Sequence, residues 1–176
     1  MQLCLKRLAR QPGSNALIQW RYVGEPYDIA ALRSMPPGSL GHTYGTVMEV
    51  MGYDINFFPE PEFYASLETD ADYVNYRSTA THDLHHILSG FSLNNYGELG
   101  VISISVAQFS HPGSAFLDLM SLLMCWFRSD TPIEQLDTIE EQARSVSYAY
   151  RMIANGLEMG LNAQPLFPVI WEERWE

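Results

Sequence analysis

GVISISVAQF, residues 100–109, decides the fold class. Ile102, Ile104 and Val106 alternate with Ser103 and Ser105, which is the two-residue period of a half-buried strand. A strand needs a partner for its backbone donors and acceptors, and the rest of the chain reads as helix and loop. The stretch is therefore read as helix. The class expected is all-α: a single-domain helical bundle over 1–176 with an irregular, Pro/Gly-rich N-terminal segment.

Working outward, HTYGTVMEVMGYD (42–54) has the composition of a short helix, and a second resumes near Leu67 and runs, with a break, into residues 82–89. FFPEPEF (57–63) is interrupted by Pro59 and Pro61 and cannot be helical throughout. The clearest start signal is TPIE (131–134): Thr131 as cap, Pro132 at the first helical position, Glu134 completing a capping box. Ile133, Leu136, Ile139, Ala143, Val146, Tyr150, Ile153 and Leu157 then follow at three and four residues, with Gly156 or Gly160 as the expected stop. AFLDLMSLLMCWF (115–127) is apolar except for Asp118 and the serine. It is too short to span a bilayer, which needs about 20 apolar residues, so it is expected as a buried or interfacial helix.

The first 40 residues carry Pro12-Gly13, Gly24, Pro26 and Pro36-Pro37-Gly38 and are expected to wrap around a core made by later segments. Lys6, Arg7, Arg10 and Arg21 all precede the first acidic residue, Glu25. Such an arm suits an anionic membrane surface, an import signal or a solvated chain end. LCLKRLARQPG lacks the apolar core of a secretory signal. The whole chain, with 10 Lys and Arg against 21 Asp and Glu, carries a formal charge of -11, which repels phosphate backbones and excludes nucleic acid as the expected partner. Two cysteines, Cys4 and Cys125, make neither a disulfide framework nor a metal knuckle, so an intracellular protein is expected.

The chemistry concentrates in HDLHHILSGFSLNNYGE (82–98), which holds three of the five histidines. On a helix over 80–89, His82 and His86 stand one above the other, about 6 Å apart along the axis. A turn at Gly90 and FSLNN would return Glu98 toward His86, and two imidazoles with a carboxylate suit Zn(II) or Fe(II). Asp83 points about 100° away from His82. Plainer readings stand beside this one: Asn95-x-x-Glu98 as a capping box, Asp83 as a first-turn acid and His85 as a surface histidine. Spacing alone leaves both open.

HDLHHILSGFSLNNYGELG (82–100) resembles the signature of the coenzyme Q (ubiquinone) biosynthesis protein 4 family: HDxxH, eleven residues, then Glu. Gly90 and Gly97 match the motif glycines; LRSMPPGSLGHTYG (32–45) and WEERW (171–175) are similar to further family segments, in order along the chain. The resemblance implies an all-α protein, peripheral to membranes, that replaces a ring carboxylate of a polyprenylated quinone precursor by hydroxyl at C1. It implies His82, Asp83, His86 and Glu98 as ligands of a divalent metal, zinc first, with Fe(II) and Mg(II) as alternatives. His85, outside the motif, is a weaker candidate for a proton shuttle. The partners implied are a prenylated precursor or another isoprenoid lipid, a membrane surface, other quinone-biosynthesis proteins and a second copy of the chain. A non-catalytic isoprenoid-binding scaffold and a metallohydrolase are the competing functions. Family members continue past the WEERW segment, so the chain is expected to be C-terminally truncated; without a long import sequence it is expected to be bacterial, cytoplasmic and peripherally membrane-associated.

Overall fold

The computed structural model describes residues 1–56, 67–127 and 139–176, with the side chains of 126–127 and 139–145 excepted. FFPEPEF, the TPIE capping box, Ile133 and Leu136 lie outside what is described, as do the side chains of Ile139 and Ala143. The described residues are helical with no strand: α1 (Gln2–Leu8), α2 (Ser14–Trp20), α3 (Ile29–Arg33), α4 (Leu40–Met51), α5 (Asp70–Ala80), α6 (His82–Ser89), α7 (Asn95–Phe109), α8 (Pro112–Phe127) and α9 (Ile139–Asn162). The all-α class is as expected. The first 40 residues are more regular than expected, holding three short helices.

Packing divides the chain into two compact units, a finer organisation than the single bundle read from the sequence. One comprises Met1–Arg7 and Ser89–Gln164, the other Leu8–Leu88 and Pro165–Glu176.

In the first unit α7 is the central element. Its strand-like alternation is misleading because serine and aliphatic positions are both buried: Val101, Ser103, Ile104 and Ser105 all lie inside. Ser103 Oγ donates to Asp118 Oδ2 at 2.9 Å, which explains the single acid within the apolar run of α8. α9 packs on α7 through Gly156 and Gly160. A Cβ on Gly156 would stand 2.1 Å from the Gly100 carbonyl oxygen, and one on Gly160 would stand 2.8 Å from Ala107 Cβ. These glycines were expected to end the helix. They continue it to Asn162 and bring the two backbones together. On α8 the polarity is inverted: Asp118 is 7% exposed, whereas Phe116 is 60%, with Leu117, Leu119 and Leu123 also outside. The helix is therefore not the buried one of the two expected. His111 caps it, its Nδ1 accepting from the Ser114 backbone N–H at 3.1 Å.

The second unit is built on the core Leu32, Tyr44, Met48, Ile55, Leu84, Trp171 and Trp175. Two of the quoted sequence segments meet there. Ser39 caps α4 by accepting from the His42 N–H, and the Gly41 N–H donates to the Trp175 carbonyl at 2.9 Å. A Cβ at Gly41 would meet Trp175 Cβ at 3.2 Å, so glycine permits the approach. Arg77 of α5 pins the C-terminal segment, donating from Nε to the Phe167 carbonyl at 2.8 Å and from Nη2 to that of Val169 at 2.5 Å. Thr69 and Asp72 form a capping box that starts α5. Arg21, expected in a basic arm, instead ends α2 in the left-handed conformation and pairs with Asp70 at 2.7 Å. Lys6, Arg7 and Arg10 are exposed.

Candidate metal centre

Thr81, with φ -105° and ψ 4°, separates α5 from α6 and sets His82 at the first helical position. His86 follows one turn later on the same face and is 2% exposed. The two Nε2 atoms are 3.1 Å apart, with the rings nearly perpendicular at 82°. Neutral imidazoles can share one proton across that gap. Two nitrogens on one tetrahedral zinc, each bonded at about 2.0–2.1 Å, would be about 3.3 Å apart. The pair therefore fits a common cation as well as it fits a hydrogen bond.

Asp83 is half-buried and joins the wall of a cavity with Tyr44, Gly52, Tyr53, Asp54, Ile55, Thr79 and Ala80. Tyr44, buried with its hydroxyl in the field of Asp83, is held well above the usual phenol range, chiefly by desolvation. Glu98 is half-buried in the first turn of α7, in the other compact unit. The capping box expected at Asn95 and Glu98 is not what forms. Asn94 is the cap, its Oδ1 accepting from the N–H groups of Tyr96 and Gly97. The third helical position is then Gly97, so Glu98 stands one residue too late to complete a box. Gly97 is required by a close approach: a Cβ there would lie 1.8 Å from the Ser92 carbonyl oxygen. Gly90, at φ 72°, follows α6 in the left-handed conformation.

His85 is buried, not on the surface, and packs edge-on to Trp171 at 6.2 Å between centroids. Burial, with smaller contributions from His82, His86 and Arg77, pushes it down to about 3. It stays neutral near pH 7, which does not suit a shuttle there. The other two histidines are occupied locally, His42 Nδ1 with the Arg33 carbonyl at 2.9 Å and His111 with Ser114. Tyr44, Tyr53 and Asp54 were not singled out from the sequence; Tyr44 falls within the SLGHTY segment, which was the one signal pointing to it.

The family model "Coenzyme Q (ubiquinone) biosynthesis protein Coq4" matches residues 6–176. A mitochondrial ubiquinone biosynthesis protein COQ4 of Clavispora lusitaniae is 28% identical over 156 residues, covering 89% of this chain and 44% of its own. A mitochondrial COQ4 homolog of Aedes aegypti is 27% identical over 149 residues, covering 85% and 48%. The chain thus spans about half the length of these curated relatives. They do not bear out the bacterial source expected from the sequence. A crystal structure described as a putative ubiquinone biosynthesis protein from Nostoc punctiforme superposes with a TM-score of 0.77 at 25% identity, over 99% of this chain and 74% of that one.

Proposed function

Because the chain belongs to the coenzyme Q (ubiquinone) biosynthesis protein Coq4 family, we propose that it acts in ubiquinone biosynthesis as a metal-dependent enzyme on a polyprenylated ring. The observation that carries the metal reading is the His82–His86 pair, whose 3.1 Å separation matches two nitrogens on one ion. Asp83 and Glu98 complete the proposed ligand set, and the resulting nitrogen and oxygen donors suit zinc, with Fe(II) and Mg(II) as alternatives. When bound, a divalent ion supplies Lewis-acid stabilisation of charge on ring oxygens. The proposed overall change is loss of a ring carboxylate as carbon dioxide and its replacement by hydroxyl, a net two-electron oxidation for which dioxygen from outside the chain would be the oxidant and the source of the hydroxyl oxygen. For the protein's part, His86 is held by burial, and the helical spacing of four residues aims both imidazoles at one point.

The exposed apolar residues of α8 support peripheral membrane contact and isoprenoid binding, and the family membership supports the company of other quinone-biosynthesis proteins. Among the described residues no helix is long and apolar enough to cross a membrane. The test of the metal reading is titration of chelated protein with Zn(II) followed by NMR of the histidine rings. His82 and His86 resonances should shift together at one equivalent, with His42 and His111 unmoved. Shifts confined to His42 or His111 would refute it.

A further inference from the structure

The second unit holds a cavity of about 290 Å³ that meets the HDxxH motif at Asp83 alone, its other lining residues lying outside that motif. Gly52, at φ 70°, ends α4 in the left-handed conformation and turns the chain so that Tyr53, Asp54 and Ile55 follow along the wall. The opposite side is the end of α5, Thr79 and Ala80, and the start of α6, Asp83. Two of the polar groups are held in place. Asp54 Oδ1 accepts from the Asn56 N–H at 2.9 Å, which fixes its carboxylate over the turn. The Tyr44 ring lies parallel to Trp175, at 3° and 6.1 Å, and takes Tyr27 edge-on at 6.2 Å, so its hydroxyl has little freedom.

We propose that this cavity receives an aromatic ring bearing hydroxyl groups, with Tyr44 as the residue that positions it. The proposal rests on the reading of the chain as acting on a ring precursor, and adds where the ring sits and what holds it. Tyr44, Tyr53, Ile55 and Ala80 supply flat and aliphatic wall for the ring. Asp54 and Asp83 accept hydrogen bonds from the ring hydroxyls, and the Tyr44 hydroxyl donates to a ring oxygen. A closed apolar cavity of about 150 Å³ already holds benzene, so a substituted ring fits the larger space. Two carboxylates beside aromatic walls would also attract an organic ammonium, but that ligand leaves the Tyr44 donor unused.

The test is an amide NMR titration of the full chain under chelator and without air, using methylhydroquinone, toluene and benzylammonium as probes. Methylhydroquinone should shift the amides of Tyr53, Ile55, Thr79 and Asp83, and Tyr44→Phe should weaken it about ten-fold with helical content unchanged. Toluene and benzylammonium should bind at least about ten-fold more weakly. Equal affinity in Tyr44→Phe, preference for benzylammonium, or shifts at Arg77 and Trp171, which line only the neighbouring cavity, without shifts at Tyr53 and Asp83 would overturn the proposal. Should Tyr44→Phe fail to fold, Asp54→Asn at the exposed rim serves instead: weaker binding supports the proposal, and unchanged binding overturns it. With the metal removed throughout, failure here leaves the His82–His86 reading to its own zinc titration.

Discussion

Single residues here are constrained by what lies within a few ångströms. Gly97 has the Ser92 carbonyl where a Cβ would stand, so Gly97→Ala should destabilise the protein by more than about 2 kcal/mol in urea unfolding. Asp118 is the opposite case, a tolerated cost. Its Oδ1 has no hydrogen-bond partner among the described residues, and burial pushes its carboxyl up to about 6 despite the Ser103 hydrogen bond. An acid whose pKa is raised on folding stabilises the protein below the unfolded value, near 3.8, and that contribution is lost as pH rises through about 6. Asp118→Asn should therefore flatten the fall in melting temperature between pH 4 and 6 and raise it by a few degrees at pH 8. A variant that titrates like the wild type would show that Asp118 is ionised at little cost. His85 illustrates the limit of reading at this scale. In the sequence it is one of three histidines with no sign of which way it faces; its burial follows from contact with Trp171, 86 residues away.

At the scale of elements, the ends of helices were less legible than their existence. The sequence located α4 by its composition and α7 against its strand-like periodicity, since a lone strand would lack a partner, and it expected a break before residues 82–89 without placing it. It placed the α7 cap one residue late. Asn94 and Asn95 are chemically identical, and only the backbone geometry, extended at Asn94, selects the first. Thermal or urea unfolding should accordingly show a loss of about 1 kcal/mol for Asn94→Ala and less than about 0.5 kcal/mol for Asn95→Ala. Gly156 was similarly ambiguous, since glycine both stops helices and lets them approach. Its contact with the Gly100 carbonyl settles the matter, and Gly156→Leu should cost at least about 3 kcal/mol by prising α9 from α7.

For the whole molecule, the fold class and the ordered family segments were readable because they depend on composition and motif, while the two compact units were not, since each combines distant stretches of chain. The C-terminal WEERW segment shows why: its tryptophans complete a core whose other members lie between residues 32 and 84. The exposed apolar residues of α8 make a membrane prediction. Liposome flotation of Leu117→Glu with Leu123→Glu should fall several-fold below wild type, and equal flotation would assign membrane contact elsewhere. The central claim is that His82, Asp83, His86 and Glu98 hold one divalent ion. Its most direct test is elemental analysis of protein purified without added metal, comparing wild type with His86→Ala and Glu98→Gln at unchanged helical content. The account expects about one divalent ion per chain in the wild type and less than about a tenth of that in either variant, because each loses a ligand. Full occupancy in both variants would contradict it.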